Sequence, residues 1–173
     1  YINNNLNKNI VIFESGTAKG FSAICMSKAL NDLKRKGVIY TTDIVPHNVK
    51  MYWNTIDDHV QGKITREKLL ENWKHELKNI EFYNMKSVEF FKKKKINRIH
   101  FAFLDAVHDG DNIMTEFEYV KKLQLKGDII IFDDFDDQYN SLKNYISRVV
   151  PDFYNYKVLE SDINRHYFIA IKK

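Results

Sequence analysis

Polar side chains that can carry charge or hold a ligand fall at or just beyond the ends of apolar runs in this sequence: Glu14, Asp43, Ser87, Asp105, Asp133 and Asp134. Two of those runs, Phe101-Ala102-Phe103-Leu104-Asp105 and Ile129-Ile130-Ile131-Phe132-Asp133-Asp134, end on acids. If they are neighbouring strands, Asp105, Asp133 and Asp134 meet at one point, where crowded carboxylates cost free energy unless one is protonated or a cation joins them. A hard divalent cation with oxygen ligands is the simplest remedy, and no Cys/His cluster offers the softer set that zinc favours. The other reading is that Asp133 and Asp134 cap the next helix or share an acidic loop with Asp136 and Asp137. His108 stands three positions after Asp105. A neutral imidazole with a pKa near 6.5 can take a proton from a hydroxyl at neutral pH, or serve only as a loop hydrogen bonder.

Near the amino terminus, Glu14-Ser15-Gly16-Thr17-Ala18-Lys19-Gly20 joins the apolar run Ile10–Phe13 to a helical stretch. Gly16 and Gly20 there permit unusual backbone angles and the close approach of a ligand, or simply a tight turn. The G-x-G-x-x-G spacing that seats a pyrophosphate at a helix N-terminus is absent. Glu14 would repel a pyrophosphate but could pair with an ammonium group, so a nucleoside ligand with a cationic end fits better. Asp43, closing Val38–Thr42, fits an acidic helix N-cap.

These residues need strands to position them. Apolar runs at Ile10–Glu14, Val38–Asp43, Ile80–Tyr83, His100–Asp105 and Asp128–Asp133 alternate with helical patterning, which extends to about Lys36 after the first and to about Asn79 after the second. Alternation of this kind predicts a doubly wound, mostly parallel α/β sheet with helices on both faces. After a helix at about Gln138–Val149, Tyr156–Leu159 and Tyr167–Ile171 follow with no helix between them, so they form an antiparallel hairpin. In such a sheet ligands bind outside the carboxyl ends of the strands, where the strand order reverses.

At 173 residues, 44% hydrophobic, the chain can bury one sizeable core, and a single domain over residues 1–173 is expected. The lone Cys25 excludes an internal disulfide and reads as a buried small hydrophobe. No apolar run approaches a membrane span, and the polar start YINNNLNKN lacks a signal-peptide core, which together predict a cytoplasmic protein with no membrane partner. The net charge of +4 is modest. Its densest run, Lys92–Lys95, complements a helix C-terminus rather than interleaving with aromatics as a nucleic-acid platform would, so nucleic acid is not an expected partner.

The set E-x-G-T-x-x-G-x-S, filled by Glu14, Gly16, Thr17, Gly20 and Ser22, resembles the first motif of class I S-adenosylmethionine-dependent methyltransferases. The likeness is to small-molecule O-methyltransferases of the catechol type and to the macrocin and cephalosporin-hydroxylase-like group. It runs from about Ile10 to Lys173 and implies a Rossmann-like, seven-stranded fold. It further implies that Asp43 holds the ribose hydroxyls, that Ser87 lies against the adenine, and that Glu14, Gly16, Thr17, Gly20, Ser22 and Asp105 also bind the cofactor. Asp105, Asp133 and Asp134 would bind magnesium, and His108, with Asp105, would be catalytic. The expected substrate is a small hydroxylated molecule, a sugar or catechol-like diol, and the expected assembly, if any, is a homodimer. The alternative is an inactive S-adenosylmethionine-binding module or a subunit of a modification complex.

Overall fold

A computed structural model of the chain describes residues 9–106, 110–162 and 165–173. Seven strands form one sheet: β1 Ile10–Ser15, β2 Gly37–Asp43, β3 Ile80–Asn84, β4 Phe101–Leu104, β5 Ile129–Phe132, β6 Tyr154–Glu160 and β7 His166–Lys172. Their order is β3-β2-β1-β4-β5-β7-β6. The first five pair in parallel, while β7 runs antiparallel to both β5 and β6. This is the mostly parallel Rossmann-like sheet with an antiparallel carboxyl-terminal hairpin that the sequence predicts.

Alternation along the strands sends side chains to two cores. Ile10 and Ile12 of β1, with Ile39, pack under helix α1 (Phe21–Asp32) through Ala23, Ile24 and Leu30. Phe13, Ala102, Leu104, Ile130 and Phe132 face the opposite layer. That layer comprises helices α4 (Ser87–Lys93), α5 (Gly110–Leu123) and α6 (Asn140–Val149), with Phe90, Phe117 and Ile146 inward. A strand buried on both sides needs apolar residues at odd and even positions alike, which is why these runs read as continuous rather than alternating.

Three expectations change. Helix α1 stops at Asp32, because Lys34 takes a left-handed φ of 53° that an α-helix cannot continue. Cys25 is exposed, since the buried stripe of α1 passes through Ala23, Ile24, Ser27 and Leu30 and leaves position 25 outside it. Between β2 and β3 only two four-residue helices form, α2 (Asp58–Gln61) and α3 (Arg66–Leu69), with short 3-10 turns at Glu71–Trp73 and Glu76–Asn79. Asn54 and Gly62 adopt positive φ in that stretch, and Met51 bridges Ile64 through backbone hydrogen bonds of 3.0 and 3.1 Å. Among the described residues no helix is long and apolar enough to cross a membrane.

Candidate functional site

Strand order reverses between β1 and β4, and the loops leaving their carboxyl ends are stitched together. The N–H of Asp105 donates to the carbonyl of Ser15 (2.9 Å), that of Gly16 to Thr42 (2.9 Å), and that of Asp133 to Leu104 (3.1 Å). Gly16, at φ 89°, lies so close to the β4 loop that a Cβ there would sit 2.0 Å from the carbonyl oxygen of Asp105. Gly20, at φ 87°, opens α1, and its missing Cβ leaves room for Leu70. Both glycines thus make space for the protein's own atoms, and Gly16 also lines a cavity of about 270 Å³. Asp43, Ser87, Ala106, Asn112 and Glu116 are among the other residues of that wall.

Glu14 is fully buried on the α1 side of β1. Ser22 and Thr41 donate their hydroxyls to its two carboxyl oxygens at 2.5 Å each, and the hydroxyls of Thr17 and Thr41 lie 2.6 Å apart. Glu14, Thr17 and Ser22 therefore form one hydrogen-bonded unit behind the glycine turn. The carboxyl that sequence reasoning offers to an ammonium group is engaged inside the fold.

Burial pushes Glu14 up from 4.5 to about 7, against the opposing pull of Ser22 and Thr41. Because the folded carboxyl holds its proton more tightly than an unfolded one, the folded chain binds the extra proton between about pH 4.5 and 7. The stability this gives is complete below that window and is lost as pH rises through it. Glu14→Gln should flatten that decline, as read from urea midpoints of the ligand-free protein across the window. Equal slopes for the variant and the parent would refute the assignment.

Asp43, at the end of β2, accepts the N–H of Ala18 (2.8 Å) and of Val45 (2.9 Å) and pairs with Arg66 Nη2 at 2.8 Å. Arg66 also donates through Nε to the carbonyl of Ala18 (2.6 Å) and through Nη1 to that of Val45 (3.2 Å), with Trp53 5.3 Å beneath its guanidinium. A buried arginine thus ties the loops after β1 and β2 to the acid between them. Ser87, first in α4, donates to the buried Glu116 of α5, which also accepts from Ser15 at 2.8 Å. Sequence reasoning missed both Arg66 and Glu116. The signal for Glu116 was present, since it occupies the buried stripe of α5 with Ile113, Phe117 and Val120.

Asp105, Asp133 and Asp134 converge, each offering a carboxyl oxygen within 4.8 Å of the others. Asp134 reaches inward through a left-handed φ of 50°, and its N–H donates to Asp133 Oδ1 at 2.8 Å. The cluster is not uncompensated. Arg165, just before β7, grips both oxygens of Asp133, with Nε–Oδ1 at 2.9 Å, and lies 3.2 Å from Asp134 and 4.0 Å from Asp105. Burial, and then the neighbouring Asp133, hold the Asp105 carboxyl above the usual carboxylate range despite Arg165. His108 lies outside the described residues.

The seven-stranded order with its reversed last strand, the glycine turn after β1 and the acid closing β2 define the fold of class I S-adenosylmethionine-dependent methyltransferases. The sequence profile described as methyltransferase domain matches residues 13–135, and the chain belongs to that family. It is therefore a methyltransferase.

No curated protein sequence matches it. Solved structures share its fold at low identity. The O-methyltransferase from Bacillus cereus, in complex with SAH, is 17% identical with a TM-score of 0.64, the match covering 94% of this chain and 74% of that one. TomG from Streptomyces achromogenes, an O-methyltransferase involved in tomaymycin synthesis in complex with SAM, is 13% identical with a TM-score of 0.64, covering 94% and 73%. An rRNA methylase from Streptococcus thermophilus is 9% identical with a TM-score of 0.65, covering 99% and 91%.

Proposed function

We propose that this chain moves a methyl group from S-adenosylmethionine to a hydroxyl oxygen of a small molecule, a sugar or catechol-like diol. The observation that carries this reading is the convergence of Asp105, Asp133 and Asp134 one strand away from the Gly16 turn. The cofactors named in the Bacillus cereus and TomG structures support it. In the proposal Gly16, Asp43 and Ser87 face the cofactor, with Asp43 accepting from the ribose hydroxyls. Glu14, Thr17, Gly20 and Ser22 hold the turn in shape behind it, and Asp105 bridges cofactor and acceptor. One domain spans the chain, and a homodimer is the proposed assembly in the cytoplasm.

In the transfer, a lone pair of the acceptor oxygen forms the new O–CH₃ bond. The S–CH₃ bond breaks with its pair going to sulfur, which becomes a neutral thioether. The hydroxyl proton passes to His108. An in-line approach is required, so holding both reactants in register supplies much of the acceleration.

The acidic cluster fits a divalent cation: its donors are hard oxygens, and a guanidinium already stands in as a cation among them. Asp105, Asp133 and Asp134 would hold magnesium. When bound there, the ion lowers the pKa of an acceptor hydroxyl.

Titration calorimetry with S-adenosylmethionine, then a methyl-release assay over hydroxylated acceptors with and without magnesium, tests the proposal. Tight cofactor binding with no transfer to any acceptor would favour the binding-module reading. His108→Ala should leave cofactor affinity unchanged and lower turnover roughly 10²-fold, the scale of a lost general base. Unchanged turnover would remove His108 from the mechanism.

A further inference from the structure

We infer that Arg165 is a built-in competitor for the cation site, so that its guanidinium and a divalent ion hold Asp105, Asp133 and Asp134 in turn. The inference rests on the proposed metal reading and adds how that site is controlled. One guanidinium reaches all three carboxylates: bidentate on Asp133, 3.2 Å from Asp134 and 4.0 Å from Asp105. A divalent ion would need the same oxygen lone pairs, and two cations at that spacing repel each other. One must therefore leave.

The acids cannot move easily. Asp133 is 3% exposed and its Oδ1 accepts the backbone N–H of Asp134, while the Asp134 side chain is 15% exposed. The arginine can, because its side chain is 37% exposed. Its backbone stays anchored meanwhile, as its N–H donates to Ser161 Oγ (3.1 Å) and its carbonyl accepts from the Ser161 N–H (2.8 Å). In the docked position the guanidinium also lies 5.8 Å from the centre of the Tyr167 ring. Whatever fraction of the chain has Arg165 docked is unavailable to the ion, so apparent cation affinity falls in proportion.

Manganese is a direct probe, its free fraction read by electron paramagnetic resonance at fixed ionic strength, with titration of S-adenosylhomocysteine to verify that each variant keeps its cofactor site. Arg165→Gln should bind manganese roughly tenfold or more tightly than the parent chain. Lys143→Gln removes a cation that pairs with Asp137 instead, and should change affinity less than about twofold. In the parent chain, magnesium should shift the side-chain Nε signal of Arg165 in nitrogen-15 NMR, a measurement that needs no variant.

Equal manganese affinity in the parent chain and Arg165→Gln overturns the competition while leaving the metal reading intact. Equal gains from Arg165→Gln and Lys143→Gln reduce it to a general charge effect and overturn it as well. An Arg165 signal that ignores magnesium while manganese binds does the same. If neither the parent chain nor Arg165→Gln binds manganese while S-adenosylhomocysteine still binds, the competition and the metal reading fall together.

Discussion

Replacing Gly16 with alanine should destabilise the fold and abolish tight cofactor binding together. A Cβ at this position would lie 2.0 Å from the Asp105 carbonyl oxygen and 2.6 Å from its carbonyl carbon. Both are backbone atoms, which have no rotamer to turn aside. The φ of 89° adds a left-handed penalty of about 1–2 kcal/mol for any L side chain, and overpacking adds about 1–3 kcal/mol.

Relief requires the β1 and β4 loops to part. That would break the 2.9 Å bond from the Asp105 N–H to the Ser15 carbonyl and pull Asp105 from its acidic partners. Urea unfolding and titration with S-adenosylhomocysteine give the two readouts. Gly16→Ala with the stability and affinity of the parent chain would mean that the loops do not meet as described. Gly62→Ala is the matched control: it too has positive φ, but nothing lies within 4 Å of its added Cβ, so only the backbone penalty should appear.

That contrast shows which parts of the site the sequence makes legible. The strands were readable because a parallel strand buried on both faces must be a continuous apolar run, and an acid or glycine marks where it ends. Hence Asp43, Asp105 and Asp133 could be placed at strand ends without coordinates. What the glycines leave room for could not be read, because the occupant of the space beside Gly16 is the backbone of a residue some ninety positions away.

Arg165 was hidden for the same reason. Reasoning from local runs finds three converging acids and calls for an outside cation, while the chain supplies one from the turn between β6 and β7. The stretch after Pro46 misled differently. Its composition suits helices, yet Arg66 ties it to the loops after β1 and β2, and the Trp53 indole N–H closes it on itself by donating to the carbonyl of Ile64 at 2.9 Å. Tertiary contacts override propensity where helices would be short.

Arg66→Met should cost about 3–5 kcal/mol, the range for removing one partner of a buried ion pair. Arg66 is 2% exposed and Asp43 11%. Without the guanidinium, the Asp43 carboxylate stays desolvated with only the N–H groups of Ala18 and Val45, while the carbonyls of those two residues lose their donors. Methionine fills much of the same volume and keeps an apolar contact for Trp53, so the loss reports the polar network rather than a cavity.

Cofactor affinity should fall as well, because the loops after β1 and β2 that Arg66 joins both line the cavity. Arg66→Lys separates charge from geometry: it keeps the cation but cannot donate to Ala18, Val45 and Asp43 through one planar fork, and should recover only part of the stability. Thermal and urea unfolding of both variants, with S-adenosylhomocysteine titration of whatever remains folded, decides the matter. Full recovery by lysine would reduce Arg66 to a counter-charge for Asp43. An Arg66→Met chain as stable as its parent would mean that the loops around the site are held by something other than this side chain.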